Sequence, residues 1–97
     1  MNIRISGRDF KVKFQKVKNL GKYSDIAGRV VVDFQKIWID KGNALGRQQE
    51  VLLHETIHAV DFFAGLKLSE ETTTALANGL LAVMRDSPRF VEFLTRT

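Results

Sequence analysis

Two histidines and one acid carry the most specific chemical signal in this 97-residue chain: His54-Glu55-Thr56-Ile57-His58. Residues four apart on a helix project from one face about one turn apart, so both imidazoles can reach a single Zn²⁺ at about 2.0–2.1 Å. Glu55 sits about 100° round the helix from His54, beside such an ion rather than on it. From there it can take a proton from a metal-activated water and hand it to a leaving amine, which is the mechanical content of the HExxH pattern. The plain alternative is a chance match on a buried helix. Against it, these are the only two histidines in the chain, and Val51-Leu52-Leu53 and Ala59-Val60 flank them. Two imidazoles and a carboxylate would be costly to bury there without partners.

A catalytic zinc takes three protein ligands and keeps one position open. With no cysteine and no further histidine, the third ligand must be a carboxylate. Asp61 shares a face with His54 and His58, but at seven residues from His54 it lies roughly 10 Å along the axis. It reads as an acceptor for the outer N–H of an imidazole, or as a surface acid. Glu70 and Glu71, twelve and thirteen residues past His58, open the next helix and are better placed. The apolar stripe of that helix is Leu76, Ala77, Leu80, Val83 and Met84. Glu70 falls about 80° from the centre of the stripe, and Glu71 points almost opposite. Helical phase therefore favours Glu70, with Glu71 as second choice. The competing reading is that both acids only complement a helix N-terminus.

The elements that must position these groups follow from periodicity. Residues 2–6 and 10–17 alternate apolar and polar around Gly7-Arg8-Asp9, as a half-buried hairpin does. Residues 18–28 have loop composition. Residues 29–34 and 36–40 read as short strands with a tight turn at Asp33-Phe34-Gln35-Lys36. Residues 1–42 thus form a β-rich half and 43–97 a helical half of one domain. Asn43 is the expected N-cap of the first helix and Gly65 the residue that stops it. Ser69 caps the second helix, which ends near Asp86-Ser87 because Pro88 follows. Pro88 then opens a short third helix. The expected fold class is α+β: a small, mostly antiparallel sheet of three to four strands, packed on the HExxH helix and a second, glutamate-bearing helix.

Bulk composition narrows the function classes. A hydrophobic fraction of 44% with 27% charged residues is that of a globular domain. The N-terminus shows no secretory h-region and no stretch is long enough for a membrane helix, so the expected location is the cytoplasm. Net charge is +4, with Arg4, Arg8, Lys11, Lys13, Lys16, Lys18 and Lys22 near the start. Aromatic residues do not alternate with these in sequence as a stacking platform requires. The basic residues therefore read as solvent-facing strand positions, and nucleic acid is not an expected partner.

With these residues in place, the chain resembles the gluzincin metallopeptidases, namely the thermolysin-like and ImmA/IrrE-type catalytic cores and small phage or prophage metallopeptidase-like proteins. The shared features are His54 to His58, the following Ala59-Val60, a short connection, and a glutamate opening a second helix. Small and apolar residues at three, six and seven positions past that glutamate (Thr73, Leu76 and Ala77 after Glu70) match as well. The resemblance covers roughly residues 29–85. It implies a Zn²⁺ cofactor, a peptide or protein substrate, and a strand before the active-site helix, here Lys36 to Asp40, that pairs with extended substrate. Gluzincins also supply a Tyr or His to the tetrahedral oxyanion. Tyr23, the only tyrosine, is the candidate here, with Arg47 and Arg85 as substitutes. A chain this short has no second lobe to deepen the cleft, which implies loose specificity or help from a protein partner, an oligomer or a maturation step. Two other functions compete with zinc-dependent peptide hydrolysis. One is a non-catalytic, zinc-stabilised binding or regulatory module of the phage type, and the other, ranked below it, is a basic nucleic-acid binder.

Overall fold

The computed structural model describes residues 1–16 and 27–97. Val17, most of the expected loop, and Tyr23 lie outside the described residues. The described elements are β1 (Asn2–Ile5), β2 (Arg8–Gln15), β3 (Gly28–Val31), β4 (Lys36–Asp40), α1 (Leu45–Ala64), α2 (Glu70–Asp86) and α3 (Pro88–Thr95).

The first hairpin forms as its alternation demands. β1 and β2 pair antiparallel, with Ile3 opposite Phe10; Ser6 and Gly7 make the turn at φ 49° and 80°. The second turn falls one residue earlier than expected, over Val32–Gln35, where the Gln35 amide donates to the Val32 carbonyl at 3.0 Å. Gln35 takes the left-handed conformation at φ 52°. β3 consequently starts at Gly28 rather than Arg29 and ends at Val31 rather than Phe34. The two hairpins join through a parallel pairing of β2 with β4, giving the order β1-β2-β4-β3. The architecture is α+β, with two antiparallel pairings and one parallel pairing.

One face of this sheet is apolar. Ile5, Phe10, Val12, Ile37 and Ile39 are buried there against Val51 and Ala59 of α1. Gly28 of β3 lies on the same face, and a Cβ there would overlap the Val51 side chain and sit 2.9 Å from the Trp38 carbonyl. The missing side chain therefore lets α1 approach the edge of the sheet. α2 packs on α1 and α3 on α2, so among the described residues no helix covers the opposite face.

α1 differs from expectation at its start. Its N-cap is Ala44, with no side-chain cap, because Asn43 is held by Asp40 (Asn43 Nδ2 to Asp40 Oδ2, 3.4 Å). Gly65 ends it as expected, at φ 69° with its amide donating to the Asp61 carbonyl. Ser69 caps α2 by accepting from the Thr72 amide at 3.1 Å. No helix among the described residues is long and apolar enough to cross a membrane.

Candidate metal centre

The five residues between α1 and α2, Gly65 to Ser69, turn the chain back so that the helices are neighbours, as short helix connections do. The buried residues of α2 are Thr73 and Ala77, at 0% and 1% exposure. Small side chains permit close backbone approach, and Glu70 in the first turn of α2 comes over His54 and His58.

Three donor groups converge there. His54 Nε2 lies 2.5 Å from Glu70 Oε1, His58 Nε2 lies 3.0 Å from Glu70 Oε2, and the two imidazole Nε2 atoms are 3.0 Å apart. One carboxylate thus faces two imidazoles whose ring nitrogens also face each other. Two neutral imidazoles and a carboxylate at this spacing fit one metal ion, and this group could hold it. The remaining nitrogen of His54, Nδ1, is 3.5 Å from Thr74 Oγ1, a partner that orients the ring.

Glu55 is buried at 8% exposure. Burial raises its pKa above the ordinary 4.5, opposed by the nearby His58 and His54; Glu70 adds to the rise and a hydrogen bond from the Val30 backbone opposes it. The source of that last bond is the ladder itself. The Asp40 amide donates to the Ala27 carbonyl at 2.7 Å. Ala27, Arg29 and Val31 therefore turn their backbone groups toward β4, while Gly28 and Val30 turn theirs to the outer edge.

A cavity of about 390 Å³ opens beside His54, Glu55 and Glu70. Ala27 and Gly28 line it from the sheet, Arg47, Glu50 and Val51 from α1, and Thr74 and Asn78 from α2. Among the described residues Arg47 is the only Lys or Arg lining it, and it pairs with Glu50 at 3.5 Å.

His54, His58, Glu55 and Glu70 therefore come together as the sequence suggests, and Glu71 is exposed and outside the cluster. Asp61 does not meet an imidazole. Its Oδ2 accepts from the Leu68 amide at 3.0 Å, and its Oδ1 is buried without a partner among the described residues. Seven residues past His54, it sits at the end of α1, where the exposed amides are those of the turn. Arg85 donates to Gln49 and does not line the cavity, which leaves Arg47 as the described candidate for an oxyanion donor. Lys36 to Asp40 is not an edge strand, since β2 and β3 occupy both of its sides. Among the described residues, the unpaired strand edge nearest the site belongs to β3. Thr74 and Asn78 are additions that helical spacing could have found, lying four and eight residues beyond Glu70. Compared with models of protein families, with curated proteins and with solved structures, the chain matches none.

Proposed function

We propose that this chain is a zinc-dependent peptidase of the gluzincin type, and the observation that carries the reading is the convergence of His54, His58 and Glu70 beside a buried Glu55. The donor set of two imidazoles and one carboxylate suits Zn²⁺. When bound, the ion supplies a Lewis acid that polarises the scissile carbonyl and lowers the pKa of water toward neutrality. His54, His58 and Glu70 would hold it. Glu55 accepts the proton released as the water oxygen bonds to the carbonyl carbon, and returns it to the amide nitrogen as the C–N bond breaks. A carboxylate whose pKa is raised by burial is the better suited to both halves of that transfer near neutral pH.

The outer edge of β3 supports an extended peptide as substrate. Gly28 lines the cavity and turns its backbone groups outward, so a peptide can add to the sheet there by main-chain hydrogen bonds. The Val30 amide is already engaged with Glu55, so pairing along this edge and orientation of the base depend on one strand. Arg47 is positioned to meet negative charge in the cavity.

A closed, purely structural zinc site is the competing reading. The donor cluster among the described residues has three members, and Asp61 is committed to Leu68, which supports a site with one position left for substrate. The test is Glu55→Gln. It should bind zinc as tightly as the wild type and lose peptide hydrolysis by about 10²-fold or more, the lower range of general acid–base effects. Zinc binding by titration calorimetry and cleavage of a fluorogenic peptide library measure the two halves. Hydrolysis unchanged in that variant would remove Glu55 from the mechanism.

A further inference from the structure

The face of the sheet turned away from α1 arranges basic and aromatic residues in rows. Asn2, Lys11, Lys36 and Val31 are successive cross-strand partners over β1, β2, β4 and β3. Lys13, Trp38 and Arg29 form the next row, two residues or about 6.6 Å further along the strands. Lys11 and Lys36 are thus directly opposite each other. Like charges so placed destabilise a sheet, and neither lysine, nor Lys13, is in an ion pair among the described residues. Asp9 does not relieve them, because Arg4 holds it at 2.9 Å. An anion bound between the two ammonium groups would remove the repulsion.

A second observation places a site there. A cavity of about 330 Å³ lies at this end of the sheet, bordered by Lys11, Lys36, Asn2, Gln35, Asp9 and the ring of Phe34. Phe34 is 69% exposed, at the tip of the turn closed by Gln35. A hydrogen bond from Gln35 Nε2 to the Asp9 carbonyl (2.8 Å) ties that turn to β2. Trp38, half-buried, stands in the next row, on the face that no helix among the described residues covers. The combination is two unpaired cations, an exposed ring beside them and a larger ring one row on. An acidic peptide would satisfy the lysines but leave both rings without a partner. A four-stranded sheet face is also too broad for a duplex groove, which admits a helix or a two-stranded ribbon.

We propose that this face binds single-stranded nucleic acid, with Lys11, Lys36 and Lys13 on phosphates and Phe34 and Trp38 against bases. Sheets that display aromatic side chains among cations recognise single strands in this way. The linear sequence hides the arrangement, because Phe34 and Trp38 follow Lys13 by 21 and 25 positions. The parallel insertion of β4 beside β2 brings them together.

The experiment is a titration of the full chain into a labelled oligothymidylate of about fifteen nucleotides, read by anisotropy and by emission of Trp38, the only tryptophan. Expected are binding, quenching of Trp38, and a slope of log affinity against log salt near about −2 for three neutralised phosphates. The double variant Lys11→Gln with Lys36→Gln should lose about tenfold or more in affinity and flatten that slope by about 1.4. Phe34→Ser, at an exposed turn position, should weaken binding without changing the slope. Three results would each overturn the proposal: absence of binding, an unchanged affinity in the lysine double variant, or competition by polyglutamate as strong as by unlabelled oligonucleotide. The last would assign the face to an acidic protein instead. Unchanged Trp38 emission together with unchanged affinity in Phe34→Ser would overturn the stacking on which the choice of nucleic acid rests.

Discussion

At the scale of single residues, Glu55 is the position where chemistry and stability pull against each other. Its carboxyl is buried and its pKa is raised, so in the metal-free chain the ionised form carries a penalty that the protonated form does not. A folded pKa above the unfolded value means full stability below the unfolded pKa, lost as pH rises through the folded one. Metal-free Glu55→Gln should therefore melt at a higher temperature than the wild type at pH 7. The gap should close as pH falls below about 4, where wild-type Glu55 is protonated in both states. Paired thermal melts in chelator across that range give the sign; a gap that widens toward low pH would contradict it. Much of this cluster was legible beforehand, because 100° per residue already separated Glu70 from Glu71. Asp61 was not. Its partner Leu68 lies in a link whose left-handed Gly65 and Lys67 (φ 69° and 56°) leave no periodic trace.

Among the elements, the contact between α1 and β3 sets the distance from Glu55 to the outer edge of β3. Gly28 permits that contact, since a methyl group would meet the Val51 side chain on one side and the Trp38 carbonyl on the other. Gly28→Ala should cost about 1–3 kcal/mol by overpacking, measured by urea unfolding. It should also lower kcat/KM, because any shift of β3 moves the Val30 amide off Glu55. Full activity in a destabilised Gly28→Ala variant would show that β3 does not orient the base. The strands and helices themselves were readable from alternation, from Ser69 and Gly65 as caps, and from Pro88 as a helix opener. Strand order was not readable. Period-two patterns identify which face of a strand is buried, but β2 presents the same face whichever neighbour it takes. The parallel partner β4 is settled only by the packing of both hairpins on α1.

Over the whole molecule, α2 is attached to the rest mainly through α1, and α3 packs on α2. Only two residues of α2, Thr73 and Ala77, are buried, and none of α3. An ion held by His54 and His58 on one helix and Glu70 on the other would therefore fasten the least buried part of the chain. Free zinc at 100 times its dissociation constant should add about 2.7 kcal/mol. For a domain of this size that is a rise in Tm of about 10–20 °C. Glu70→Gln should abolish the rise and Glu71→Gln should leave it intact, as differential scanning calorimetry would register. Equal losses in the two variants would mean that the acids act through the helix dipole alone.

The same ligand geometry bears on how the chain assembles. His54 and Glu70 are 16 residues apart, whereas the parallel ladder joins Lys11 to Lys36, across a longer stretch of chain. Closing the shorter loop costs less chain entropy, and helical hairpins form faster than non-local strand pairings. The helix pair is then the early event and the sheet the late one, so an ion can be captured by a hairpin that has not yet found its sheet. Stopped-flow refolding should accordingly show zinc enlarging a fast helical phase in far-UV circular dichroism while leaving the slower Trp38 phase unchanged in rate. A zinc effect confined to the slow phase would reverse that order.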